Sequence, residues 1–571
     1  MVLGLAALFA PSAAGLRKGT GLDGRSWGIA PSGARQDDAG TPIAGVAAMT
    51  DAFPLPEHES QNWTLRKPGA SGAGGMVVSQ VKVAAEAGAA MLRAGGTAAD
   101  AAVATAFALA TLEPWNSGLG GIGFAQVMKP GMAPAETIDF GPVAPAGLDA
   151  SAFPLTGRMK QDLFSWPEVE GDRNIHGPLS FVIPSAVAGY ALLHERHGRL
   201  PIREVLAPAV ALAKRGLPAD WYTTLKVASS ASVLRLYPES ARIYLPNGLP
   251  PTTPYQGAPG FFPLGNLPAT LERLQQAGLR DFYEGEIAAQ IAADARELGG
   301  VLSAADLGGC RARVLPAVAV PWRGRTLMLS NGLTAAPTMR RVLELMADVP
   351  TGAAPSAAWY GSFARAMQAA YAERLAGLGD AEPQGAETCT THLTACDKDG
   401  MMVAITTTLL SSMGSRVVLP RSGVLMNNGV MWFDPQPGTP NAIAPGKRPL
   451  TNMSPIILAS GGQPEIAAGA SGGRRILAAV LQLLSFVAEF GMAPEDAAHH
   501  PRIDVSGPEG VTADRRLPAE VLAALPGVPT VVEHAVMPLN FACPNLIQRG
   551  PGGVATGISD AMSPWSGAVA A

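Results

Sequence analysis

Cysteine is scarce: the 571 residues contain only Cys310, Cys389, Cys396 and Cys543. So few, so widely spaced, build neither a disulfide scaffold nor a zinc site, and their pairing stays open. Charge is scarce too, at 15% Asp, Glu, Lys and Arg with a net charge of −4. That balance offers no electrostatic footprint for nucleic acid or a membrane surface. No apolar run reaches the roughly 18 residues a membrane span requires. The apolar run over residues 2–10, followed by Ser12-Ala13-Ala14, has no basic residue ahead of it. It therefore lacks the charged start of a secretory signal, which favours the cytoplasm over the periplasm without fixing the compartment. Aromatics are light at 6%, whereas 47% of the chain is hydrophobic and 66 residues are glycine. A large buried core with close helix-on-sheet packing follows, in one large domain or two to three ordinary ones.

Residues 1–75 are rich in Gly, Pro, Ser and Asp without a sustained period and read as a flexible N-terminal arm. The body begins near Met76. Helical spacing runs from Val83 to Arg93 and stops at Gly95-Gly96, and Thr97 opens a second helix reaching about Leu112. That second helix is apolar on most faces and reads as buried. Two helices are expected over residues 185–216, with others near 282–297, 337–348, 357–376 and 474–490. Residues 377–386 form a polar linker, and the C-terminal part reads as closing strands.

Two motifs invite cofactor or metal readings and fail on context. Gly118-Leu119-Gly120-Gly121-Ile122-Gly123 matches G-x-G-x-x-G, but a helix precedes it and strand-like residues follow. A dinucleotide site needs the reverse order, so no cofactor is expected and the glycines read as a tight turn. His194 and His197 sit three apart on a helix, but a solvated basic helix end explains them better than a metal ion. No metal is expected. His499-His500 read as ordinary turn residues.

The chemistry concentrates in residues 387–415. Asp397-Lys398-Asp399-Gly400 joins two β-branched, apolar runs, a strong hairpin signal. The first run opens with Cys389-Thr390-Thr391-His392 and the second carries Thr406, Thr407 and Thr408. A hydroxyl nucleophile needs a base, and a threonine freed at a chain terminus has one in its own α-amine, which titrates at roughly 8. Thr390-Thr391-His392-Leu393, the hairpin, Thr408, Pro445-Gly446-Lys447-Arg448-Pro449-Leu450 and Gly469-Ala470-Ser471-Gly472-Gly473 together resemble the γ-glutamyltranspeptidase family. The resemblance covers roughly residues 76–565. It implies a four-layer α/β/β/α sandwich of the N-terminal-nucleophile hydrolase type, self-cleaved between Cys389 and Thr390. The large part would span residues 76–389 and the small part 390–571, intertwined as one domain. It further implies Thr390 as nucleophile, Thr408 as its hydrogen-bonding partner, and Gly472 and Gly473 as oxyanion donors.

The acyl pocket departs from the family pattern. The arginine expected after Ile138-Asp139-Phe140 is Gly141, and the asparagine two residues past Thr408 is Leu410. After Asn427-Asn428 the polar and acidic positions are Gly429 and Trp432, with Asp434 nearby. The serine pair before Met453 is Thr451-Asn452, the only change that keeps hydrogen-bonding capacity. An unpaired buried carboxylate costs several kcal/mol, so the expected substrate is a small-molecule amide whose acyl group is not γ-glutamyl. Arg474 is a candidate replacement anion contact, against the alternative of an exposed arginine at a helix start. Three rival readings remain: a true γ-glutamyl hydrolase or transferase acting on glutathione-like compounds, an unprocessed binding protein, and, more remotely, a dinucleotide-dependent oxidoreductase.

Overall fold

Strand alternation organises the molecule. In the strand Thr388–Asp397, Leu393 and Ala395 pack outward against helices, while Cys396 packs inward against a second sheet. Its neighbour Met402–Ser411 repeats the pattern, with Val403 and Ile405 outward and Met402 and Ala404 inward. A sheet apolar on both faces must be covered on both. The computed structural model describes residues 65–160, 166–378 and 388–571, all in one compact unit. The apolar run at residues 2–10, most of the expected arm and most of the linker before Thr388 lie outside the described residues.

Two seven-stranded sheets face each other. The first runs Gly567–Ala570, Gly75–Ser79, Thr388–Asp397, Met402–Ser411, Ile122–Met128, Glu136–Phe140, Arg313–Pro316. The second runs Ala70–Gly72, Ala555–Ser559, Cys543–Arg549, Gln463–Ser471, Ile456–Ser460, Arg325–Leu329, Val318–Trp322. Every pairing in both is antiparallel. The last residues of the expected arm thus enter the structure as an edge strand, Ala70–Gly72 on Ala555–Gly557.

Helices Lys82–Arg93, Ala98–Leu112 and Ala186–His197 cover the first sheet; Ala336–Leu345, Ala357–Leu378 and Arg475–Ala488 cover the second. The result is the expected α/β/β/α sandwich. Ala98–Leu112 is buried along its whole length, as its all-round apolar sequence requires. Thr97 and Asp100 close a reciprocal capping box at its start, a cap worth about 1 kcal/mol. Three helices, not two, fill residues 186–215: Ala186–His197, Ile202–Val205 and Ala207–Arg215, the last restarted by Pro208 in its first turn.

Candidate active site

The hairpin forms as its Asp-Gly turn requires, with Gly400 at φ 91°. Its register slips at the proposed nucleophile. Cys389 pairs with Leu410 and Thr391 with Thr407, so Thr390 alone faces two residues, Thr408 and Leu409. This is a β-bulge on the second strand, a device that re-aims side chains beside active sites. Because the extra residue lies on the partner, alternation along the first strand survives. His392 packs against Gly469 of the second sheet and Thr394 hydrogen-bonds Asn545 at 3.1 Å, so Thr390 belongs to the same inward face. On the second strand Thr406 bonds His392 Nδ1 at 2.9 Å and Thr407 turns outward to Tyr190 at 3.0 Å. Thr408 therefore also faces inward. Both threonines are buried.

The bulge is pinned from several sides. Thr408 Oγ1 accepts from the Leu410 amide at 2.7 Å, holding Leu410 at φ 88°, a conformation costly for a residue with a Cβ. The Leu409 amide donates to Asn116 O at 2.9 Å, and Leu409 O accepts from the Asn428 amide at 3.0 Å. The inward faces look onto the strand Gln463–Ser471, which lies against both hairpin strands. That strand is followed by Gly472 and Gly473, at φ 133° and 59°, just ahead of the helix Arg475–Ala488. A Cβ on Gly472 would sit 2.8 Å from both Cα and Cβ of Ala542. Only glycine fits that turn, which leads into a helix N-terminus whose first amides have no partner within the helix.

His392 is no competing base. Full burial pushes its imidazole down to about 3, so it stays neutral and accepts protons poorly near neutral pH.

The positions that would grip a γ-glutamyl head are apolar or already engaged. Leu410 and Trp432 share one buried cluster with Ile122, Phe124, Val182 and Met453. Asn428 donates to Ile175 O and Ser411 Oγ, each at 2.7 Å, and accepts from the Ser411 amide at 3.1 Å. A side chain at Gly429 would meet Val182 at 2.4 Å, and one at Gly141 would meet the Phe124 ring at 2.6 Å. Thr451 donates to Leu333 O at 2.9 Å, and Asn452 accepts from Arg374 at 3.0 Å. Asp434 caps its own turn through the Gln436 amide at 2.8 Å.

Arg474 is buried at 3% exposure, correcting the alternative of an exposed helix-start residue, and its carbonyl accepts from Tyr371 at 2.7 Å. His197 is also buried and bonds Glu136 at 2.8 Å, so it is not a solvated helix end. His194 turns to Leu200 O at 2.8 Å, and the two rings serve different partners.

Three elements of this region escaped the sequence reading. Arg374, on the helix Ala357–Leu378, binds Thr451 O, Asn452 Oδ1 and Thr338 Oγ1 at 3.0–3.2 Å and so holds the Thr451-Asn452 segment. Asp139, two residues before Gly141, pairs with Arg313 and lies 3.6 Å from Arg448 of the Pro-Gly-Lys-Arg-Pro-Leu element. Glu113, at the C-terminal end of Ala98–Leu112, accepts from the Thr391 hydroxyl and, at 2.6 Å, from Asn116 Nδ2. Burial pushes its carboxyl up to about 7, against the pull of those two donors and of Lys226. One signal for it was present in the sequence: an acid closing an apolar helix opposes the helix dipole and needs a reason.

The Gly118–Gly123 turn lies between a helix and the strand Ile122–Met128, the order that argued against a dinucleotide. Among the described residues no three His, Cys, Asp or Glu side chains converge as a metal site, Cys310, Cys396 and Cys543 are free and buried, and no helix is long and apolar enough to cross a membrane. A cavity of about 500 Å³ lies among Leu192, His194, Ile202, Arg280, Tyr283 and Arg311, and no candidate site residue lines it.

Two facing antiparallel sheets between helical layers are the α/β/β/α architecture of the N-terminal-nucleophile hydrolases. Cephalosporin acylase from Bacillus halodurans has this architecture, with a TM-score of 0.77 at 25% identity over 90% of this chain and 99% of that one. The chain belongs to the γ-glutamyltranspeptidase family, whose profile matches residues 84–388 and 382–569. The glutathione hydrolase proenzyme of Escherichia coli (strain K12) is 30% identical over 488 residues, 75% of this chain and 80% of the relative. The acylase ACY 1 proenzyme of Pseudomonas sp. (strain SE83) is 29% identical over 494 residues, 80% of this chain and 86% of the relative. The chain is thus an enzyme of the amidohydrolase and acyltransferase kind.

Proposed function

We propose that this enzyme cleaves itself between Cys389 and Thr390 and then hydrolyses, or transfers from, small amides whose acyl group is not γ-glutamyl. In the precursor the Thr390 hydroxyl attacks the Cys389 carbonyl carbon, the peptide C–N bond breaks, and the resulting ester is opened by water. Fragments 1–389 and 390–571 result, and Thr390 gains an amino terminus. In the mature enzyme that amine takes the hydroxyl proton as Oγ attacks the substrate carbonyl. The Gly472 and Gly473 amides hold the tetrahedral oxyanion, and Thr408 steadies the nucleophile from the adjoining strand. Collapse expels the amine, which leaves with the proton, and water or an acceptor amine releases the acyl group. The bulge that sets Thr390 beside Thr408 supports these roles, and two relatives that carry the name proenzyme support the processing step.

The choice of acyl group rests on one observation: the head-group positions Leu410 and Trp432 are packed into an apolar cluster. A zwitterionic head would meet hydrocarbon there, and a polar head without its partners loses about 10⁴-fold in discrimination. Gly141 has no room to regain a side chain. Two relatives carry the name acylase and not glutathione hydrolase, which supports an acyl group other than γ-glutamyl. Arg474 remains a candidate contact for an acidic acyl group, to be judged by the KM of Arg474→Ala for such substrates.

Intact mass spectrometry of the purified protein and of Thr390→Ala, followed by a p-nitroanilide panel, tests the proposal. Two fragments divided at Cys389–Thr390 in the wild type, one chain in the variant, and poor turnover of γ-glutamyl-p-nitroanilide beside a favoured acyl group are expected. An intact wild-type chain would leave the unprocessed binding protein as the reading, and efficient γ-glutamyl turnover would restore glutathione-like substrates.

A further inference from the structure

A strand that begins at a freshly cut terminus has a mechanical problem. Thr390 would lose its covalent tether to Cys389 and become the first residue of its strand, and chain ends fray unless something holds them. The residue next to it is held. Thr391 points to the helix side, away from the inward face of Thr390 and His392, and its hydroxyl donates to the buried Glu113 carboxylate. The turn that Glu113 opens also grips the opposing strand. Asn116, bonded to Glu113 Oε1 at 2.6 Å, accepts the Leu409 amide at 2.9 Å through its carbonyl, and Trp115 O accepts the Met413 amide at 3.0 Å. The Glu113 and Asn116 amide positions are themselves locked by Glu113 N to Leu109 O at 2.9 Å and Asn116 N to Glu113 O at 3.0 Å. One short turn therefore holds both sides of the bulge, Thr391 on one strand and Leu409 on the other.

We infer that Glu113 is a positioning residue for the nucleophile, acting through Thr391 to keep the new N-terminus of the small fragment in register with Thr408. Neither Glu113 nor Thr391 touches the reacting atoms in this arrangement. The inference rests on the reading of Thr390 as the freed nucleophile and deepens it. It also explains why a carboxyl is buried at the end of an otherwise apolar helix, where solvation and the helix dipole both oppose it.

The test uses the processed, full-length enzyme and acylation of Thr390 by p-nitrophenyl acetate, read on the 390–571 fragment by mass. Glu113→Ala and Thr391→Val are each expected to lower the saturating acylation rate about 10-fold or more, with the half-saturating ester concentration changed less than about twofold. The double variant should be no slower than the worse single one, because both break one contact. Glu113→Gln and Thr391→Ser, which keep a hydrogen bond, should recover most of the loss. A merely structural role would give additive losses that track melting temperature and are not rescued by the conservative pair. Unchanged acylation in Glu113→Ala, or additive losses, overturns the inference. If Glu113→Ala does not fold, the cycle is run with Glu113→Met, which fills the site but cannot accept the Thr391 hydroxyl proton, and Thr391→Val, and additivity there decides equally. Absence of acylation in the wild type, or acylation persisting in Thr390→Ala, would instead sink the nucleophile reading itself.

Discussion

Glu113 shows how one side chain balances opposed forces. Burial favours the neutral acid and lifts the carboxyl from its ordinary 4.5 to about 7, while Thr391, Asn116 and Lys226 favour the anion. A raised folded-state value makes the stability sign definite. The folded protein holds the proton more tightly than the unfolded chain, so the contribution is complete below about 4.5 and is lost as pH rises through about 7. The loss is on the order of 3 kcal/mol. Glu113→Gln is neutral throughout, so its melting temperature relative to wild type should rise between about pH 5 and pH 8. Parallel melting curves across that window would contradict the assignment. Thr390, Thr408, Gly472 and Gly473 stand out in the sequence because each sits in a short local pattern that resembles the γ-glutamyltranspeptidase family. Glu113 carried only the signal of an acid closing an apolar helix, since its partner Thr391 lies 278 residues away and only folding brings them together. Arg374 escaped for the same reason, with Asn452 78 residues distant.

At the scale of elements, the candidate site combines a bulged hairpin with the strand-to-helix turn that follows the strand packed against it. The hairpin was readable from its Asp-Gly turn, and the helices at Lys82–Arg93, Ala98–Leu112 and Arg475–Ala488 from their period and end signals. The strands Ile456–Ser460 and Gln463–Ser471 were missed, although Gly461-Gly462 between them, at φ 54° and 77°, is a hairpin signal. The bulge itself was illegible, because a register slip depends on what the partner strands bury and not on composition. The strand-to-helix turn yields a direct prediction. Gly472→Ala would force a Cβ to 2.8 Å from Ala542 and a non-glycine residue to φ 133°, displacing the amides proposed as oxyanion donors. Losing one such donor costs about 10²–10³ in rate, so kcat should fall by about 10² with KM changed much less. A Gly472→Ala enzyme with wild-type kcat would remove this turn from the chemistry.

For the whole molecule, the consequence lies in how a cut at residue 390 would thread through the sheets. In the first sheet, Gly75–Ser79 of the large part sits between Gly567–Ala570 and Thr388–Asp397, while Met402–Ser411 pairs with Ile122–Met128. In the second, Ile456–Ser460 pairs with Arg325–Leu329, and Ala555–Ser559 carries the edge strand Ala70–Gly72. Each fragment would therefore supply strands to both sheets and side chains to the core between them, where Met76, Met128 and Met328 pack with Met402, Ile457 and Ile547. Separating the pieces means breaking both sheets and exposing that core, so dissociation and global unfolding become one event. The processed protein should elute from gel filtration as one species of the precursor's size and resolve into two polypeptides only in denaturant. Its denaturant midpoint should rise with protein concentration, because unfolding now releases two chains. Fragments that part in native buffer, or a midpoint independent of concentration after verified cleavage, would show that the two parts do not share the sheets in this way.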